Sequence, residues 1–155
     1  MADVKPIPDH YPRVAPYLVV DGAAEAIDFY VKVLGATQRG DVMQAPDGKV
    51  GHAELEFGDS LVMLADEHPD SGALGPRTVG GSPVTIHVYV EDVDATHRAA
   101  LDAGATETRP LTDEFYGNRI AQFEDPFGHR WSIASHVEDV SADEMQKRAA
   151  EAMGG

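Results

Sequence analysis

The chain contains one sequence pattern twice, at an offset of about 70 residues. Residues 19–22 precede a helical stretch that ends in Leu-Gly-Ala, and residues 89–92 precede another that ends in Ala-Gly-Ala. Farther along, Phe-Gly-Asp at 57–59 recurs as Phe-Gly-His at 127–129. A long period that occurs twice indicates a duplicated half-domain, because a solenoid needs at least about three repeats. We expect two such halves to form one pocket between them, since ligands bind preferentially at such boundaries.

The first half reads as a strand, a helix and three further strands. Residues 13–20 are rich in β-branched and aromatic side chains, which favours a strand. Asp21 is the expected cap of the following helix, and Gly35 its left-handed end. Residues 51–57 alternate with period two and predict a strand between others near 37–44 and 61–64. The predicted buried face of the helix consists of Ala23, Ile27, Tyr30, Val31 and Leu34.

The second half repeats this order. Residues 84–90 alternate, Asp92 is the expected cap of the second helix, and Gly104 closes that helix. Strands are predicted near 105–110, 118–124 and 129–135. The predicted organisation is α+β, with a flexible segment at 1–12, a first module at 13–66, a connector at 67–82, a second module at 83–136 and a helical tail at 137–155.

Composition narrows the functional classes. The formal net charge of −15 repels nucleic-acid phosphates and anionic lipid. The sequence has no cysteine, which excludes disulfides and thiolate metal sites. No stretch approaches the roughly 20 apolar residues of a membrane span, and the first residues do not resemble a signal peptide. We therefore expect a cytoplasmic protein with neither nucleic-acid nor membrane partners.

Several motifs resemble a known family. Residues 27–30 (Ile-Asp-Phe-Tyr), 34–36 (Leu-Gly-Ala) and 125–129 (Asp-Pro-Phe-Gly-His) resemble the vicinal oxygen chelate superfamily, which includes glyoxalase I, bleomycin-resistance proteins and extradiol dioxygenases. Residues 52–55 and 115–119 resemble its PhnB-like branch more closely. The resemblance implies two βαβββ modules whose sheets curl around a cavity, assembled as a homodimer.

The resemblance also implies metal ligands, on the first and last strand of each module. The residues carried over to those positions are Ala15, Met63, Thr85 and Ser132, with Val62 in place of Met63 if the register of the fourth strand slips by one. Ala and Val side chains cannot coordinate, a thioether is too soft for the ions of these enzymes, and hydroxyls are poor ligands for them. The sequence therefore predicts no metal at the usual place and no cofactor.

Three other side chains are candidates for chemistry. His52 and Glu54 share one strand face, and His87 shares the face of Thr85 on its own strand. Together they allow two interpretations: a displaced metal site, or a His–Glu acid–base pair. A third interpretation is a polar pair that satisfies its own hydrogen bonds inside a curled sheet.

The predicted ligand-binding face is aromatic and polar. Tyrosine and histidine offer stacking planes with a polar edge, which suits a planar or cationic guest. Arg119 is a candidate for an anionic group of the ligand, or for pairing with a nearby carboxylate. Trp131 has the opposite parity to Ser132 and is expected under the helices. The predicted ligand-binding residues are Tyr17, His52, Glu54, Met63, Thr85, His87, Tyr89, Phe115, Tyr116, Arg119 and Ser132.

Two functions follow as expectations. The first is a non-catalytic protein that binds a small aromatic or cationic molecule, as drug-sequestering members of the superfamily do. The second is a lyase, isomerase or dioxygenase that uses a displaced metal or a His–Glu acid–base pair. In both, the partners are a small-molecule ligand and a second copy of the chain.

Overall fold

The computed structural model describes residues 3–154 and divides the chain into two compact units, with the boundary between Gly81 and Ser82. In each unit, one of the two α-helices packs on one face of a mixed sheet. The architecture is α+β, as the sequence predicts. Among residues 3–154, no helix is long and apolar enough to cross a membrane.

The first unit follows the predicted strand and helix order. The elements are β1 (Tyr17–Val20), α1 (Ala23–Leu34), β2 (Thr37–Gln38), β3 (Met43–Gln44), β4 (Val50–Phe57), β5 (Ser60–Asp66), a 3-10 turn (Pro69–Ser71) and α2 (Pro76–Val79). The sheet has the order β1-β5-β4-β2, with β3 paired to β4, and β1 runs parallel to β5. The predicted strand near 37–44 is two short strands, β2 and β3, since a bend between them contains Gly40 in a left-handed conformation.

The start of α1 is held by a different residue from the one predicted. Gly22, not Asp21, occupies the N-cap position, and the N-cap residue makes no side-chain hydrogen bond to the first turn of the helix. Asp66 at the end of β5 accepts hydrogen bonds from the backbone N–H groups of Gly22 and Ala23 at 3.0 and 2.7 Å. Its second oxygen accepts from Val50 N at 2.8 Å. One carboxylate from a distant strand thus satisfies donors that a local cap would otherwise serve.

The buried face of α1 also differs at one predicted position. Val31 is 41% exposed, whereas Phe29 and Val33 are buried. Gly35 ends the helix with φ 70°, as predicted. The apolar layer lies between α1 and the sheet, and Val20, Tyr30, Leu55 and Leu64 are fully buried in it.

The elements of the second unit are β6 (Thr85–Tyr89), α3 (Val93–Asp102), β7 (Thr106–Asp113), β8 (Asn118–Glu124), β9 (Arg130–His136) and α4 (Ala142–Gly154). Its sheet order, β6-β9-β8-β7, matches that of the first unit, again with the first strand parallel to the last. Asp92 caps α3 by accepting from Ala95 N at 3.1 Å, as predicted. Trp131 is fully buried, and α3 packs on β8 and β9.

Candidate functional site

In the first unit, the sheet face opposite α1 carries a row of polar side chains. Tyr17 on β1 is registered with Met63 on β5, and Met63 is registered with Glu54 on β4. The backbone N–H of Arg39 donates to the carbonyl of Glu54 at 2.8 Å and so continues the row. Because strand side chains alternate, these residues share one face.

The second unit carries the equivalent row. His87 on β6 is registered with Ser132 on β9, Ser132 with Gln122 on β8, and Gln122 with Arg109 on β7. The parallel pair Tyr17–Met63 in the first unit is therefore equivalent to the parallel pair His87–Ser132 in the second. The positions carried over from the superfamily, Ala15 and Thr85, each lie two residues earlier. Ala15 precedes β1, and Thr85 is registered with Arg130.

A chain of hydrogen bonds joins four side chains on the face of the first sheet. The hydroxyl of Tyr17 lies 2.8 Å from His52 Nδ1, and His52 Nε2 lies 2.9 Å from Glu54 Oε2. On the other side of the carboxylate, the hydroxyl of Tyr11 donates to Glu54 Oε1 at 3.0 Å. Glu54 therefore receives two donors, and the structure brings together three of the residues predicted for the site.

The electrostatics of this chain keep the carboxylate charged. Donation from His52 lowers the pKa of Glu54, with further lowering by Tyr11 and Arg39 and opposition from burial. Burial raises the pKa of the Tyr17 hydroxyl, and the charge of Glu54 raises it further. Tyr17 therefore keeps its proton at neutral pH. The Arg39 guanidinium lies 4.6 Å from the centre of the Tyr11 ring, which holds Tyr11 against the sheet.

The polar face of the second unit presents aromatic rings. His87 Nδ1 lies 3.0 Å from Ser132 Oγ, and the His87 and Tyr89 rings meet edge to face with centroids 5.0 Å apart. The hydroxyl of Tyr89 accepts from Asn118 Nδ2 at 3.1 Å. The Tyr89 side chain is nevertheless 62% exposed, so its ring is available for contact.

The turn before β8 holds Phe115 and Tyr116. Their rings meet edge to face, with centroids 5.2 Å apart. Arg148 on α4 donates to the carbonyl of Phe115 at 3.2 Å and so fixes this turn to the C-terminal helix. Burial raises the pKa of Tyr116, and Glu114 raises it further.

Arg119 lies apart from the other predicted residues of the second unit. Its guanidinium donates to both carboxylate oxygens of Asp94 on α3, at 2.7 and 3.3 Å, and to Asp113 at 3.2 Å. Arg119 is registered with Ser135, which accepts from Val93 N at the start of α3. It thus occupies the helix face of the sheet, opposite to the row of His87 and Ser132.

The first unit also contains a cavity of about 270 Å³. It is bordered by β1 at Tyr17 and Val19, by the β3–β4 turn and the start of β4, and by the end of β5 with the segment that follows it. Lys49, His68 and Ser71 lie in its wall, and the sequence did not indicate any of them. They come from a turn and from a Gly- and Pro-rich connector, where no periodicity relates a side chain to the sheet. Tyr11 was missed for the same reason.

In neither unit do the first-strand and last-strand positions carry the His and carboxylate ligands that a divalent metal of the superfamily type prefers. In the first unit these positions carry the Tyr17 phenol and the Met63 thioether, and in the second unit the His87 imidazole and the Ser132 hydroxyl. Among residues 3–154, no three or more His, Asp or Glu side chains form a group that could hold a metal ion.

The family model described as the Glyoxalase/Bleomycin resistance protein/Dioxygenase superfamily matches residues 9–133. The chain belongs to this superfamily. An uncharacterized protein of Mycobacterium bovis, Mb0911c, is 47% identical over 138 residues, which cover 87% of this chain and 90% of that one. The Mycobacterium tuberculosis protein Rv0887c is also 47% identical, with 81% of its length covered.

Solved structures share the fold. Protein PA1353 from Pseudomonas aeruginosa superposes with a TM-score of 0.63 at 25% identity, over 82% of this chain and 99% of that one. The PhnB protein from Bacillus cereus superposes with a TM-score of 0.61 at 16% identity, over 80% of this chain and 99% of that one. The chain therefore has PhnB-like structural neighbours. It has the fold that the sequence motifs imply.

Proposed function

We propose that this superfamily member binds a small aromatic or cationic molecule on the polar faces of its sheets, without the usual metal. The observation that carries the proposal is the arrangement at Tyr17, whose half-exposed ring is held through His52 beside the ionised Glu54. A fixed ring next to an anion attracts both planar and positively charged guests. The exposed ring of Tyr89 offers a similar surface in the second unit.

Charge supports the same ligand class. The chain carries a formal net charge of −15, which raises the local concentration of cations and lowers that of anions. Arg119, the candidate for an anionic ligand group, has three of its N–H donors engaged by Asp94 and Asp113. A ligand with a carboxylate or phosphate would therefore have to displace these ion pairs.

Native mass spectrometry of the purified protein and a thermal-shift series test this proposal. The series should contain matched aromatic compounds with positive, zero and negative charge. Stabilisation by cationic or neutral aromatics, reduced when Tyr17 and Tyr89 are replaced by Ala, is the expected result. Stabilisation by anionic compounds alone would contradict it.

A second function is favoured by the hydrogen-bond chain Tyr17–His52–Glu54. A His ring oriented by a carboxylate and in contact with a hydroxyl is an arrangement that can move a proton. The activity would be proton abstraction next to a carbonyl, as in an isomerase or lyase. Its test is exchange of solvent deuterium into a small α-hydroxyketone, followed by NMR. Exchange that is lost in His52→Gln would support this function over simple binding.

We also propose a homodimer as the working form. Strands β1 and β2 are at the ends of the first sheet order, and β6 and β7 are at the ends of the second. Sheet edges need pairing or cover, and a symmetric second copy supplies both. Light scattering at micromolar concentration tests this, and a monomer mass would argue against it.

A further inference from the structure

The hydrogen-bond polarity of the first-unit cavity can be read from the protons of two residues in its wall, Tyr17 and His68. Each of these two side chains makes one hydrogen bond to another protein group. Whether its other polar position can donate or accept depends on where its own hydrogen lies. Rules of donor and acceptor capacity therefore assign the polarity without any hydrogen being observed.

The first assignment concerns Tyr17. Glu54 is ionised and can only accept, so the His52 nitrogen that faces it, Nε2, must carry a hydrogen. In the neutral ring, Nδ1 is then an acceptor, and the hydroxyl 2.8 Å away must donate to it. Every proton of the chain Tyr17–His52–Glu54 points toward the carboxylate. The free position on the Tyr17 oxygen is consequently an acceptor, strengthened by the polarised bonds behind it.

The second assignment concerns His68. The hydroxyl of Ser71 donates to the backbone carbonyl of His68 at 3.0 Å. Its oxygen lies 3.1 Å from His68 Nδ1 and must therefore accept a hydrogen from that nitrogen. In the neutral ring the other nitrogen, Nε2, carries a lone pair. His68 thus contributes a second acceptor to the cavity wall.

The charges around the cavity favour the same kind of ligand. Three acidic residues, Asp47, Asp66 and Glu67, and one basic residue, Lys49, border it. The carboxylates of Asp66 and Glu67 accept hydrogen bonds from backbone N–H groups. With neutral histidines, the carboxylates outnumber the ammonium, so the cavity attracts a positive charge.

The apolar part of the wall limits the size of the ligand. Val19, Ala45, Ala65 and Ala73 border the cavity beside the polar groups. Its volume of about 270 Å³ is just below the usual range for small-molecule sites, which begins at about 300 Å³. A compact ligand with one apolar portion and one donor-rich end fits this wall.

From these observations we infer that the first-unit cavity binds a small protonated primary amine, whose N–H groups donate to Tyr17 Oη and His68 Nε2. This inference rests on the proposed binding function and specifies its ligand class and its site. An ammonium group has three donors and no acceptor, which complements a wall that offers two acceptors. Its charge is compensated by the carboxylates around it.

The experiment uses four probes that share a benzyl group: benzylamine, benzyltrimethylammonium, benzyl alcohol and benzoate. Benzyltrimethylammonium keeps the positive charge but has no N–H donor. Binding to the full chain is measured by calorimetry near neutral pH, and NMR shifts of labelled protein locate the site. The variants are Tyr17→Phe, which keeps the ring and removes the acceptor, and His68→Leu. His10→Leu, outside the cavity wall, is the control for loss of a histidine.

The expected result is that benzylamine binds at the cavity residues at least about tenfold more tightly than the other three probes, the effect of one charge-assisted hydrogen bond. Tyr17→Phe and His68→Leu each lower benzylamine affinity by about tenfold or more, and His10→Leu leaves it unchanged. Equal binding of benzyl alcohol or benzyltrimethylammonium, or variants without effect, would overturn the inference and leave the proposed function standing. If benzoate binds best, through Lys49, or if no cationic or aromatic probe binds, both are overturned.

Discussion

Tyr17 and His87 occupy the same place in the two modules of this chain. Each is on a first strand and is registered in parallel with the last strand, Tyr17 opposite Met63 and His87 opposite Ser132. The duplication has therefore kept the backbone position and changed the chemistry. One module presents a phenol at the end of a hydrogen-bond chain, and the other presents an imidazole bonded to a hydroxyl.

Asp125 should be essential to the stability of the second module. Its Oδ1 accepts from the backbone N–H groups of Phe127 and His129 at 2.9 and 3.0 Å, and its Oδ2 accepts from Trp131 Nε1 at 2.9 Å. Asp125→Ala leaves these donors without their acceptor, at about 1–3 kcal/mol for each one that stays buried. We expect a loss of at least about 3 kcal/mol in urea denaturation. Asp59→Ala, at an exposed turn, should change stability by less than about 0.5 kcal/mol. Equal effects of the two variants would contradict this role.

Glu54 should make stability depend on pH in a defined direction. Its pKa is lowered in the folded state, chiefly by the hydrogen bond from His52. The unfolded chain then binds more protons than the folded chain in the acidic range, so stability from this group rises with pH. It is fully present above the ordinary Glu pKa of about 4.3 and is lost as the pH falls through the lowered folded value.

Denaturation of the wild type and of Glu54→Gln at several pH values tests this linkage. The wild type should be the more stable protein at neutral pH, and the difference should shrink below about pH 4. Glu56→Gln is the matched control, because the Glu56 carboxylate is half exposed and contacts Arg39 at 3.5 Å. A difference between wild type and Glu54→Gln that does not vary with pH would show that the carboxylate is not the responsible group.

The sequence predicted the modules well because their signals are local. Period-two alternation identified β4 and β6, and the Asp92 cap and the Gly35 helix end were found from residue type and position. The buried position of Trp131 followed from its parity relative to Ser132. Each of these properties is determined within a few residues of chain.

The features that the sequence did not reveal depend on distant segments. Asp66 replaces Asp21 at the start of α1 because β5 ends beside it, which no local pattern records. The sequence places Arg119 among the ligand-binding residues. Which face of the sheet Arg119 occupies relative to His87 depends on the register of the strands, which residue type does not determine. Tyr11 and His68 come from irregular segments, whose side chains are placed by tertiary contacts alone.

Gly117→Ala should disrupt the turn that holds Phe115 and Tyr116. Gly117 has φ +95°, and an added Cβ would overlap the carbonyl oxygen of Glu138. Gly80→Ala is the matched control, since Gly80 has φ +105° and no atom within 4 Å of an added Cβ. The left-handed conformation costs both variants about 1–2 kcal/mol, and the backbone clash adds to this in Gly117→Ala alone. Thermal denaturation with equal losses in the two variants would refute a special role for the contact with Glu138.

Arg119→Ala should lower stability and leave ligand affinity unchanged. The guanidinium connects β8 to α3 through Asp94, and these carboxylates raise its pKa. It lies on the helix face of the sheet, away from the row of His87 and Ser132. Thermal denaturation measures the loss of stability, and calorimetry with the benzyl probes measures ligand affinity. Arg98→Ala, on α3, controls for the loss of a positive charge. A fall in affinity for benzoate in Arg119→Ala would instead identify this residue as an anion anchor.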